Sequence, residues 1–141
     1  MNDSAVPSAP ALHVRVLLAE DDFEMRSWIE HLLALEGFEI ESCRFGIELL
    51  DRLSESIGSG GNRAYDIVIA DLDIHDRAAA TLCRCLGRLE GIPPILAICA
   101  FGEAPWPAGQ RPAGGRVVLV KPVDPLELLV SVRSLVVRRA S

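Results

Sequence analysis

Residues 65–76 read YDIVIADLDIHD, from Tyr65 to Asp76. Ile67, Val68, Ile69 and Ala70 run without a polar break into a carboxylate, Asp71. A short apolar run bounded by polar residues reads as a strand covered on both faces. Such a strand belongs in the middle of a parallel sheet. Its carboxyl end opens on the edge where α/β proteins keep their ligands. The spacing therefore predicts a buried central strand with Asp71 at a functional edge.

Toward the N-terminus the chain prepares that sheet. Val14–Ala19 is a second apolar strand, interrupted only by Arg15, and it ends in three acids, Glu20, Asp21 and Asp22. From about Phe23 to Glu36, Met25, Ile29, Leu32 and Leu33 fall on one face of a helix. Gly37 stops it, as glycine after a helix does. Phe38–Cys43 alternates apolar and acidic residues, the pattern of an edge strand. Leu49, Leu50, Leu53 and Ile57 stripe a second helix. The loop GSGGN (58–62) then follows a helix and lacks Gly-Lys-Ser/Thr, which argues against a phosphate cradle. The first dozen residues are rich in Ser, Pro and Ala, so residues 1–13 read as a flexible tail before a domain at 14–139.

Toward the C-terminus a helix is expected over Arg77–Glu90, with Leu82, Cys85, Leu86 and Leu89 inward and Gly91 at its end. Ile95–Ile98 is a fourth strand, launched by Pro93-Pro94 and ending at Cys99. Residues 101–116 hold three prolines and four glycines. Proline inside a helix costs about 3 kcal/mol, so nothing beyond a helical turn is expected there. Val117–Val120 is a fifth strand, ending at Lys121-Pro122. Asp124 caps a last helix with Pro125 in its first turn, running to about Arg138. Strands and helices that alternate in this way build a parallel sheet with right-handed crossovers.

Composition bounds the function. The chain has 141 residues, half of them apolar, enough for one domain with a substantial core. A net charge of −6 argues against a nucleic-acid binder, and no apolar run approaches the roughly 20 residues of a membrane span. The N-terminus lacks the pattern of a secretory signal. Cys43, Cys83, Cys85 and Cys99 have no metal-site spacing, and the C-x-C at 83–85 has no histidine partner. They read as reduced thiols in a cytoplasmic protein.

All five strands would end on one edge, which gathers Glu20 and Asp21, Asp71, Cys99 and Lys121. Singly, an acid after a strand is usually a helix cap and a lysine before proline a solvated loop residue. Together they make a charged site. Crowded carboxylates invite a hard cation with oxygen ligands, such as Mg²⁺. Beside such a cation an aspartate can attack a phosphoryl group and become an aspartyl phosphate. The metal and the lysine would neutralise charge on the transferring oxygens.

The motifs LLAEDD, DIVIADLDI and LVKP, in this order and spacing, make residues 14–138 resemble a receiver domain, the response-regulator module of two-component signalling. The resemblance implies an α/β, flavodoxin-like (βα)5 fold with strand order 2-1-3-4-5. It implies that Asp71 is the phosphoacceptor, fed by a histidine kinase or phosphotransfer protein. Glu20 and Asp21 would be the acidic pair, with Asp21 a direct Mg²⁺ ligand beside Asp71 and the backbone carbonyl of Asp73. Lys121 would contact the phosphoryl oxygens, and its bond to Pro122 would be cis. Such a domain is an acceptor rather than an enzyme with its own substrate. With no output segment after Arg138, the chain reads as a single-domain regulator. It would act on a downstream protein, whose identity the sequence does not give, or as a phosphate sink.

The departures from the family pattern are specific. Cys99 stands where a Thr or Ser hydroxyl usually meets the phosphoryl group, and a thiol is a weak donor. Val118 stands where the fifth strand usually carries Tyr or Phe. Asp73 adds a charge near the acceptor, and His75 replaces a common proline. The fourth helix is expected to be short or absent. The frame Pro94, Cys99, Ala100, Phe101 is similar to a subgroup with a Phe-Ala-Thr-Gly-Tyr motif and a degenerate fourth helix.

Two other classes stay open. Asp71-Leu72-Asp73 is also the D-x-D of haloacid-dehalogenase-like phosphatases, but there it ends the first strand. A pseudo-receiver, a binding module that does not use phosphate, would fit Cys99 and Val118 but not the intact acid cluster. The last helix poses a separate question. Its apolar residues, Leu126 to Val137, cover an arc of roughly 220°, wider than the ~100° that docking on one sheet requires. Leu128 and Leu135 at the arc's margin are expected to meet a second copy of the chain, a partner, or the loop carrying Trp106.

Overall fold

The computed structural model describes residues 14–43, 46–58, 65–71, 93–99 and 116–140. Their order is β1 (Arg15–Ala19), α1 (Phe23–Leu35), β2 (Glu39–Cys43), α2 (Gly46–Gly58), β3 (Ile67–Asp71), β4 (Ile95–Cys99), β5 (Arg116–Val120) and α3 (Pro125–Ala140). The N-terminal tail, the helix expected over 77–90, the Pro/Gly-rich segment 101–115, Asp73, His75, Cys83, Cys85 and Trp106 lie outside the described residues.

The five strands form one parallel sheet in the order β2-β1-β3-β4-β5. This is the 2-1-3-4-5 order of the flavodoxin-like receiver fold. The polar/apolar pattern explains the arrangement. Every residue of β3 and β4 is buried, so these strands take interior places. In β2 only Cys43 is buried, and the strand takes an edge. Register is tight through the centre: Val16 pairs with Ile67, Leu18 with Ile69, and Ala70 with Ala97.

Alternate residues of each strand feed two cores. On one face Leu17, Ala19, Val68, Ala70, Ile95 and Ala97 meet Leu49 and Leu53 of α2. On the other, Val16, Leu18, Ile67, Ile69, Leu96, Ile98 and Leu119 meet Ile29 and Leu33 of α1 and three residues of α3. At the amino ends of the strands Tyr65 donates to the Glu41 carboxylate. Arg52 of α2 holds the same carboxylate at 2.5 Å, and Arg15 lies 5.5 Å over the Tyr65 ring. This cluster pins α2 and the entry to β3 at the end opposite the acids.

The turns at the helix ends have local causes. Asp22 caps α1, its Oδ2 accepting the Met25 N–H at 3.1 Å. At the other end of α1, Gly37 N–H donates to Ala34 O and Phe38 N–H to Leu33 O, the Schellman arrangement. It requires the left-handed φ of +87° that Gly37 adopts. Asp124 caps α3 through the Glu127 N–H at 3.1 Å.

The last helix differs from expectation. Leu128 and Leu135 are not a free margin; with Val132 they are the buried centre of its docking face. Among the described side chains of α3 the exposed apolar ones are Leu126, at 68%, and Val130, at 58%, from the opposite end of the arc. An arc wider than one docking stripe fixes that some apolar surface is left over. Which end is left over depends on how the helix rolls against β5 and α1.

Candidate functional site

The carboxyl ends of β1, β3 and β5 bring three of the expected residues together. Asp71, the last residue of β3, is only 5% exposed. Lys121 follows β5, reaches across the end of β4, and places its Nζ 2.8 Å from Asp71 Oδ2. The backbone fixes where that lysine starts: Lys121 N–H donates to Cys99 O at 2.9 Å, and the Lys121-Pro122 bond is cis.

Glu20, the first residue after β1, is 2% exposed and faces Asp71. Its Oε1 accepts the Asp22 N–H at 3.0 Å, while its Oε2 is buried with no hydrogen-bond partner among the described residues. Burial, and then the facing Asp71 carboxyl, push the Glu20 pKa up to about 8. Lys121 and the Asp22 N–H act in the opposite direction and do not offset the burial.

The three consecutive acids therefore have three places. Glu20 is buried against Asp71, Asp21 stands exposed at the rim, and Asp22 caps α1. Among the described residues no three carboxylate, thiol or imidazole groups stand close enough to hold a metal by themselves. The donor set nevertheless fits a cation such as Mg²⁺, which keeps several waters and needs only one or two carboxylates. Among the described residues Glu20 Oε2 is buried with no hydrogen-bond partner, next to a second carboxyl group, and a cation at that edge would displace the Glu20 proton and satisfy the oxygen.

Cys99 closes β4 and is buried, its carbonyl tied to Lys121. Val118 lies on the face of β5 away from Leu119 and is 36% exposed, with no aromatic ring to move there. Cys43, at the end of β2, is inert: burial, then the nearby Glu48, push its thiol up to about 12. Two contributions were not read from the sequence. Asp22 has a recognisable signal, an acid immediately before a helix. Arg26, whose Nη1 donates to Glu20 O at 3.2 Å, has none, because its partner is a main-chain carbonyl.

A family model described as the response regulator receiver domain matches residues 16–133. The chain belongs to that family. Among curated proteins this receiver domain is 27% identical over 127 residues to the transcriptional regulatory protein CpxR homolog of Haemophilus influenzae, covering 90% of the chain and 52% of that protein. It is 31% identical over 128 residues to the transcriptional regulatory protein GltR of Pseudomonas aeruginosa, covering 89% of the chain and 49% of that protein. The chain thus spans about half the length of these curated relatives. A response regulator receiver protein from Sinorhizobium medicae shares the fold at a TM-score of 0.70 and 22% identity, covering 89% of this chain and 95% of that one. One from Burkholderia phymatum does so at 0.65 and 26%, covering 87% and 94%. Among the described residues no helix is long and apolar enough to cross a membrane.

Proposed function

We propose that this receiver domain takes a phosphoryl group onto Asp71 from a histidine kinase or phosphotransfer protein, with Mg²⁺, and acts through protein–protein contact or as a phosphate sink. The observation that carries this reading is the buried Asp71 carboxylate held 2.8 Å from Lys121 at the ligand-binding edge of the sheet. A carboxylate oxygen of Asp71 attacks phosphorus as the bond from phosphorus to the donor imidazole nitrogen breaks. The bonding pair leaves with the imidazole. Lys121 holds Asp71 in place beforehand and neutralises phosphoryl oxygens afterwards. Asp21, Asp71 and the Asp73 carbonyl would hold the metal, with Glu20 beside them. Bound Mg²⁺ supplies further neutralisation of the transferring charge.

The same geometry supports an unusual switch. Cys99 offers only a weak donor where a hydroxyl would grip the phosphoryl group, and Val118 has no ring to swing. The phosphorylated state can shift a partner equilibrium only through the affinity difference it creates. A groove of about 550 Å³ lined by Met25, Trp28, Lys121, Pro122 and Val123 shares Lys121 with the acceptor site and supports a protein partner at this edge. The domain is an acceptor and has no separate substrate. Buried, unbridged Cys43 fits a reducing, cytoplasmic setting.

Thermal unfolding with Mg²⁺ alone, and with Mg²⁺ plus beryllofluoride, tests the reading on the parent and Asp71→Asn. Binding at 100-fold over the dissociation constant stabilises by about 2.7 kcal/mol. At this size that is a rise of roughly 5–11 °C. The rise is expected in the parent and not in Asp71→Asn. No rise in either folded protein would replace the phosphoacceptor by a binding module that does not use phosphate.

A further inference from the structure

Arg26 belongs to neither core, yet its side chain is tied to the acidic turn: its Nη1 donates to Glu20 O at 3.2 Å, while its backbone N–H makes the first helical bond of α1, to Asp22 O at 2.9 Å. Glu20 is also held through its N–H, which donates to Cys43 O at 3.1 Å, and through Oε1, which accepts from Asp22 N–H. Asp21 lies between the two residues these bonds hold. The guanidinium itself is steadied by the Phe23 ring, 5.4 Å away, and Phe23 is otherwise a solvent-exposed phenyl group at the rim of the site.

We propose that Arg26 is a positioning residue for cation binding: it fixes the peptide joining Glu20 to Asp21, and Phe23 fixes Arg26. This rests on the reading of the acidic edge as a Mg²⁺ site. Arg26, Ser42, Cys43 and Glu48 line a cavity of about 190 Å³. Without the guanidinium, water can enter there and satisfy the Glu20 carbonyl. Water replaces the hydrogen bond but does not hold the peptide in place. Loss of Arg26 therefore has a small effect on folding and a larger one on the geometry of the acids.

Charge and positioning pull in opposite directions, which makes the role testable. Removing a positive charge beside three acids strengthens their attraction for a cation. Releasing the peptide weakens it, and for groups that orient metal ligands the loss is about 10–100-fold. Phe23→Leu changes no charge and removes only the contact that steadies the guanidinium, a loss of about two- to fivefold.

The experiment is calorimetric titration of the intact chain with MgCl₂ at low salt, for the parent, Arg26→Met, Arg26→Lys and Phe23→Leu, with unfolding midpoints measured in the absence of metal. Expected is an affinity about tenfold weaker in Arg26→Met, the low end of that range. Arg26→Lys should lie between it and the parent, and Phe23→Leu should be weakened with its charge intact. An Arg26→Met affinity that is unchanged or tighter overturns the proposal, even if its unfolding midpoint falls. If Arg26→Met does not fold, parental affinity in both other variants overturns it. A parent that takes up no Mg²⁺ overturns the site reading and this proposal together. A parent that binds, with variants binding equally, removes the positioning role alone.

Discussion

Lys121 Nζ lies 2.8 Å from Asp71 Oδ2, joining the ends of β3 and β5 across β4. The lysine pairs with Asp71 and lowers the cost of charge on Glu20, the buried carboxyl group facing Asp71. Its removal and the removal of the acceptor's charge should therefore have opposite effects on the metal-free protein. Lys121→Met is expected to lower stability at pH 8 by about 1.5–3 kcal/mol, the range of a hydrogen bond to a charged group. Asp71→Asn should raise it, because one of two crowded carboxylates is gone and Lys121, 35% exposed, can turn to solvent. Urea unfolding of both variants decides; destabilisation by both would mean that the ion pair outweighs the carboxyl crowding.

Glu20 sets a pH dependence. Its folded pKa of about 8 lies above the ordinary value of 4.5, so the folded state binds the proton more tightly than the unfolded state. The stability this confers is fully present below about pH 4.5 and is lost as pH rises through about 8. Without metal, the urea midpoint should fall between pH 6 and pH 8.5. Glu20→Gln should flatten that slope, and so should Mg²⁺ in the parent. A slope that survives in Glu20→Gln would place its origin in another group.

The two edges of α3 should respond unequally to substitution. Leu128→Ala and Leu135→Ala each remove a buried side chain from the sheet-facing core and should cost about 2–5 kcal/mol. Leu126→Glu and Val130→Glu lie in solvent and should stay within about 0.5 kcal/mol of the parent. Chemical unfolding of the four variants measures this directly. A large loss in the Glu pair would show that those residues are covered in solution.

The sequence determined the sheet. The apolar runs of β3 and β4, the alternating acids of β2, the Asp124 cap and the glycine after α1 were legible in the sequence, because strand burial and turn chemistry are local properties. Their alternation then made the sheet parallel and delivered Glu20, Asp71, Cys99 and Lys121 to one edge. Only the tertiary structure decided how the three adjacent acids divide into a buried, a rim and a capping residue. That division depends on how the first turn of α1 leaves the sheet, and adjacent residues of one type look alike in sequence. Only the fold could give Arg26 a task, since a main-chain carbonyl carries no sequence signature. It also chose which side of α3 docks, because an apolar arc wider than its seat has no preferred roll until the sheet and α1 supply the seat.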